Sequence, residues 1–142
     1  MTGLFALLGA VAVAGALAWW LRAREGRVRA TGVPTPGTGL PEPVRAALVD
    51  GPAITLVQLS TTFCAPCRHA RAVLHQLAGS TAGLAHVELD VTDRPEVAVS
   101  LGVSRTPTTV AFTSDGTELL RVGGVPKGAT LIDALRPHLQ KC

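Results

Sequence analysis

Residues 4–21 read LFALLGAVAVAGALAWWL, eighteen consecutive positions without a charged side chain. Such a run restricts a chain severely: it crosses a bilayer, is cleaved off as a signal, or is wrapped by a core that buries it on all sides. A helix spanning a hydrocarbon layer of about 30 Å needs ~20 residues, with a tolerance of a few. Flanking residues supply the difference here, because Trp19 and Trp20 suit the headgroup layer and Arg22 and Arg24 can snorkel past it. A signal peptide wants a basic leader, yet only the Met1 amine precedes the run, and the alanine-rich stretch leads into tryptophans. A buried core helix should keep one polar face, and none is visible. The expectation is one transmembrane anchor over residues 3–22.

The arginines that follow carry the charge balance. Arg22, Arg24, Arg27 and Arg29 against Glu25 account for the whole net charge of +3, and the remaining acids and bases cancel. Basic residues gathered on one side of an apolar run speak for membrane topology and against nucleic-acid binding. Positive flanks tend to stay on the cytoplasmic side. The expected topology is therefore N-terminus outside and the rest of the chain cytoplasmic, with an extracytoplasmic domain as the alternative. The hydrophobic fraction of 47% reflects an anchor added to a domain of ordinary texture.

From about Ala30 to Pro43 the sequence is rich in Pro, Gly and Thr (ATGVPTPGTGLPEP). No helix or inner strand persists in such a stretch, so residues 23–43 are expected to be a linker that lifts a domain of residues 44–142 off the bilayer. Within that domain a short helix over Val44–Val49 stops at Asp50-Gly51-Pro52. Ile54–Leu59 has the β-branched and aliphatic texture of a buried strand. Ala70, Val73, Leu74 and Leu77 fall at i, i+3, i+4 and i+7, which predicts an amphipathic helix from Cys67 to Leu77. Ala85–Val91 is a strand and Arg94–Leu101 a brief helix. Thr108–Thr113 and Glu118–Val122 flank Asp115-Gly116, a strong hairpin signal. Leu131, Leu135 and Leu139 mark a last helix. Strands separated by helices are expected to pair in parallel, with the hairpin as an antiparallel edge. The fold class is α/β, a mixed sheet with helices on both faces.

The chemistry is concentrated in Phe63-Cys64-Ala65-Pro66-Cys67. A structural zinc site wants a second pair of ligands, which the sequence does not offer at suitable spacing, so no metal is expected. A c-type haem wants His after the second cysteine, where Arg68 stands. The pair lies instead between a buried strand and the first turn of a helix. There unpaired backbone N–H groups and the helix dipole stabilise a thiolate. Cys64, outermost, is expected to be the nucleophile and Cys67, deeper in the turn, the resolving thiol. Pro66 has no N–H to lose at an early helical position. These features favour redox use over a merely structural disulfide or metal clip. The histidines are assigned no role, and Cys142 is expected to be a free terminal thiol.

Residues 53–140 resemble the thioredoxin family. The strand followed by Phe63-Cys64-Ala65-Pro66-Cys67 is similar to that family's Trp-Cys-Gly-Pro-Cys. About 40 residues on, Gly102-Val103-Ser104-Arg105-Thr106-Pro107-Thr108 resembles the segment in which the family places a cis-proline beside the sulfurs. The resemblance implies a thioredoxin-like mixed sheet and a cis Pro107. It also implies a substrate-binding surface of Phe63, Ala65, Pro66, Thr106, Pro107 and Gly123, the last matching a glycine that opens the family's groove.

The departures are specific. Phe63 stands for tryptophan, Ala65 for glycine and Gln58 for a buried aspartate that takes the resolving thiol's proton. An amide cannot accept that proton, which leaves water or another base. Glu88 is a candidate substitute, with a side chain that can instead face solvent. The implied activity is thiol-disulfide exchange with protein substrates, without a cofactor beyond the Cys64/Cys67 pair, with electrons from a separate reductase. In a reducing cytoplasm the direction is disulfide reduction; outside, a membrane electron carrier would feed it. The alternative is a membrane-anchored module that uses the scaffold to bind a partner with little turnover.

Overall fold

The computed structural model describes residues 2–30 and 39–140. Its first element, α1 (Thr2–Arg24), is a single helix. The stretch Phe5–Ala23 within it is long and apolar enough to cross a membrane, and none of it is buried against the domain. Length and composition of this kind fit either a membrane span or a signal sequence.

The domain follows as β1 (Val28–Ala30), α2 (Glu42–Ala46), β2 (Ile54–Ser60), α3 (Ala65–Ser80), β3 (Leu84–Asp90), α4 (Pro95–Ser100), β4 (Thr108–Thr113), β5 (Glu118–Gly123) and α5 (Gly128–Leu139). The sheet order is β1-β5-β4-β2-β3. Strand β2 pairs in parallel with β3, Gln58 opposite Glu88, and antiparallel with β4, Gln58 opposite Thr109. Every residue of β2 is buried, as its texture predicts for a strand flanked on both edges and both faces. Its alternation feeds two cores. Val57 and Leu59 pack with Phe112, Val97 and Val44 on one side. Ile54 and Leu56 pack with Leu74, Leu131 and Leu135 on the other, beneath α3 and α5.

Two expectations change. Although a helix separates β3 from β4, β4 enters antiparallel beside β2, and the β4–β5 hairpin is not the edge of the sheet. The edge beyond β5 is β1, which lies inside the stretch 23–43 expected to be linker and pairs antiparallel with β5, Arg29 opposite Arg121. Three residues, Glu25 to Arg27, separate α1 from this strand, so the domain is attached to the helix by a short turn rather than a tether. Gly26 makes that turn. Its φ is +69°, its N–H donates to the Gly123 carbonyl at 2.9 Å, and a Cβ there would lie 2.5 Å from the Val125 carbonyl oxygen. Residues 31–38, the middle of the Pro/Gly stretch, and Cys142 lie outside the described residues.

Candidate active site

Strand β2 ends at Ser60 and the three residues Thr61, Thr62 and Phe63 lead to Cys64, which caps α3 with a non-helical φ of −109°. Pro66 occupies the first turn, where its missing N–H is not needed. Cys64 and Cys67 are disulfide-bonded, with Cα atoms 5.2 Å apart. The Cys67 backbone N–H donates to Cys64 Sγ at 3.2 Å, so the sulfur takes the place of the oxygen of an ordinary helix cap. When the pair is reduced, the same N–H stabilises negative charge on that sulfur. Burial distinguishes the two thiols. Cys67 is 2% exposed, whereas Cys64 is half-buried beside Phe63, which is 99% exposed. Ala65 and Pro66 are also exposed.

The loop is held from two sides. Thr62 N–H donates to Thr92 Oγ1 at 2.9 Å, and the Thr92 hydroxyl and N–H both donate to Asp90 at 2.6 and 2.8 Å. Those two bonds, the hydroxyl's first, hold the Asp90 carboxyl below the usual range. On the other side Thr61 Oγ1 lies 3.3 Å from Thr106 Oγ1. The Thr106–Pro107 bond is cis. Pro107 is buried, and its carbonyl accepts from Gly124 N–H at 2.8 Å. This bond and the one from Gly26 stitch Gly123 and Gly124 between the cis-proline segment and the start of β1. The Arg105 guanidinium lies over Gly123, where a Cβ would come within 2.7 Å of its nitrogen.

Beneath Cys67 the interior is polar and nearly without charge. Gln58 is fully buried, and its Nε2 donates to the Cys67 carbonyl at 3.0 Å. Its Oε1 lies 3.2 Å from His86 Nε2. Because that amide oxygen only accepts, His86 carries its proton on Nε2. Burial pushes the His86 imidazole below its ordinary pKa; Glu88 opposes the shift, and His75 and Arg71 add to it. Thr109, across from Gln58, has a buried hydroxyl with no hydrogen-bond partner among the described residues. Glu88 neither faces solvent freely nor reaches the cysteines. It is paired with Arg71 on α3, and its other carboxylate oxygen is buried with no hydrogen-bond partner among the described residues.

A disulfide-bonded cysteine pair at a strand-to-helix junction, one sulfur accessible and the other covered, with a cis-proline segment tied to the same loop, defines a thiol-disulfide oxidoreductase site. The family model described as Thioredoxin matches residues 44–137. A thioredoxin from Staphylococcus saprophyticus is 33% identical over 87 residues, which are 61% of this chain and 83% of that protein. One from Staphylococcus haemolyticus is 34% identical over the same shares. Among solved structures, a mutant thioredoxin from Halobacterium salinarum superposes with a TM-score of 0.60 at 23% identity, covering 76% of this chain and 96% of that one. The chain belongs to the thioredoxin family, as a thioredoxin-like disulfide reductase with an apolar N-terminal helix.

The sequence reading named Cys64, Cys67, Phe63, Ala65, Pro66, Thr106, Pro107 and Gly123, and these lie around the start of α3 or along the cis-proline segment and its neighbour β5. It missed His86, the Thr62–Thr92–Asp90 clasp, and the arginines around Gly123. For His86 a signal existed: His86, Glu88 and Asp90 alternate along β3, which puts three polar side chains on one strand face.

Proposed function

We propose that this chain is a membrane-anchored protein-disulfide reductase in which Cys64 is the nucleophile and Cys67 the resolving thiol. The observation that carries the assignment is the unequal burial of the two sulfurs around one cap hydrogen bond. In the reduced protein the Cys64 thiolate attacks one sulfur of a substrate disulfide. The substrate S–S bond breaks, one substrate thiolate leaves and takes a proton, and a mixed disulfide forms. Cys67 then loses its proton and attacks Cys64, which expels the second substrate thiolate and closes the Cys64–Cys67 bond. Two electrons have passed to the substrate, and a separate reductase restores the dithiol. Only thiols take part, so no bound cofactor is required. Exposed Phe63, Ala65 and Pro66 on one side, and Thr106, Pro107 and Gly123 on the other, form the substrate-binding surface.

Gln58 cannot take the Cys67 proton, and its amide is committed to the Cys67 carbonyl and His86. Water reaching the opened site is the acceptor in this reading. Reduction of insulin disulfides tests the assignment: Cys64→Ser abolishes it, and equal rates for wild type and variant would sink it. Cys67→Ser accumulates mixed disulfides through Cys64, whereas a passive binding module accumulates none.

The anchor is α1, read as a span over residues 3–22, and the basic flank of Arg22, Arg24, Arg27 and Arg29 supports a cytoplasmic domain. Labelling of intact cells with a membrane-impermeant thiol reagent checks the sidedness: modification of Cys64 in the reduced protein would place the domain outside.

A further inference from the structure

The arginines that the reaction does not use gather at one end of the groove. A cleft of about 570 Å³ is lined by Arg27, Arg29, Arg105 and Arg121 together with Thr108 and Gly123, and no carboxylate is among its walls. Arg121 is already neutralised: it donates twice to Glu118 at 2.7 Å and once to the Leu101 carbonyl at 3.0 Å. Arg27, Arg29 and Arg105 make no salt bridge among the described residues, and all three are exposed. Arg29 sits directly across from Arg121 in the β1–β5 ladder, beside a guanidinium whose charge Glu118 already compensates. The strand and the residue before it bring Arg29 and Arg27 to the cleft.

The position of the cleft matters as much as its sign. Gly123 is shared between the cleft and the proposed substrate-binding surface, and Arg105 immediately precedes Thr106 and cis Pro107. A chain bound along that segment would present its neighbouring side chains to these guanidinium groups. The planar guanidinium fork suits carboxylates. The cleft shares Gly123 with the proposed substrate-binding surface, which favours a protein ligand over lipid headgroups.

We propose that Arg27, Arg29 and Arg105 form an anion-binding subsite that selects protein disulfides carrying Asp or Glu beside the cystine. The subsite rests on the disulfide-reductase reading, because it acts on substrates of the Cys64–Cys67 pair. Its chemistry is charge complementarity at the rim of the groove, which raises the rate of encounter and makes it depend on salt.

The test uses the full chain in nanodiscs of zwitterionic lipid, reduced and freed of reductant. Three peptide disulfides of one sequence are compared, with paired Glu, Gln or Lys beside the cystine. The second-order rate of reduction should be about tenfold higher for the Glu peptide than for the Gln peptide at low salt, and the gap should close at high salt. The variant Arg27→Ser/Arg29→Ser/Arg105→Ser should reduce the Glu peptide at the Gln-peptide rate, with the Gln-peptide rate unchanged. Arg94→Ser, which removes an exposed charge outside the cleft, should keep the preference. Equal wild-type rates on all three peptides overturn the subsite and leave the reductase reading intact. If no peptide is reduced, the reductase reading fails. Fluorescence anisotropy of a cysteine-free Glu peptide then decides the subsite alone: binding lost in the triple variant supports it, and no binding overturns it. Loss of the wild-type preference in nanodiscs of anionic lipid assigns the arginines to headgroups and overturns the proposal.

Discussion

The floor of the site and its mouth are built on opposite electrostatic plans. Under Cys67 the side chains are an amide, a neutral imidazole and a hydroxyl, with the nearest charges, Arg71 and Glu88, paired to each other. Around Gly123 three guanidinium groups, those of Arg27, Arg29 and Arg105, make no salt bridge among the described residues. Burial explains why each arrangement survives. A charge in the floor would lose its hydration, whereas a charge at the mouth keeps water until something displaces it. The contrast separates two tasks. The floor holds Cys67 in place with no carboxylate bonded to it, and the mouth offers charge to whatever approaches.

The comparison breaks if a carboxylate is placed in the floor. Gln58→Glu is nearly isosteric, but it sets an acceptor against the Cys67 carbonyl in place of the amide donor. It should cost about 2–4 kcal/mol at pH 8, read from urea midpoints. Burial raises the carboxyl's folded-state pKa above its unfolded value, so the lost stability returns as pH falls toward that unfolded value. If the new group works as a proton acceptor, release of substrate from the mixed disulfide should accelerate in the same variant. A variant as stable as wild type at pH 8 would show that the floor already tolerates charge.

A smaller effect of the same kind should be visible in the native protein. His86 is pushed below its ordinary pKa of 6.5 by burial. Below 6.5 the unfolded chain therefore binds a proton that the folded one resists, and stability falls as pH drops through that window; above it the full stability is present. His86→Gln should remove this component of the pH dependence. Since Nε2–H bonds to Gln58 in either protonation state, the acid-induced loss reflects charge in a half-buried position rather than a broken hydrogen bond. An unchanged pH profile in the variant would assign the slope to other groups.

How much of this was legible in the sequence follows the same division. The two cysteines, Pro66 and the cis-proline segment lie in short contiguous motifs, the long helices announce themselves by period, and the inner strands by β-branched and aliphatic texture. Strand β1 does not. Val28–Ala30 has only three residues, and it exists through pairing with β5, which no local pattern encodes. The prolines downstream made the whole stretch read as tether, although the segment that joins the sheet precedes them. The floor was hidden for a related reason: the parallel register of β2 with β3 sets His86 opposite Leu56, one step along the face from Gln58. Without the register a histidine 28 residues from Gln58 has no visible partner. The charge of the mouth was seen, but only as an orientation signal for the membrane, because Arg105 and Arg121 join Arg27 and Arg29 only through the fold.

The smallest expected effect sharpens the comparison most. Arg105→Ser removes an exposed side chain that makes no ion pair among the described residues, so its stability should stay within about 0.5 kcal/mol of wild type. Gln58→Leu, at the floor, removes a neutral amide and should cost about 1–3 kcal/mol, because the Cys67 carbonyl and His86 each lose a partner. Urea unfolding of the two variants side by side reads the difference. Arg105 also covers Gly123, so its removal uncovers that part of the groove. The reduction rate on an uncharged peptide disulfide should nonetheless hold while stability is flat. A marked loss of stability in Arg105→Ser would mean that the guanidinium braces the β5 end of the sheet, and the mouth would no longer be the electrostatically free counterpart of the floor.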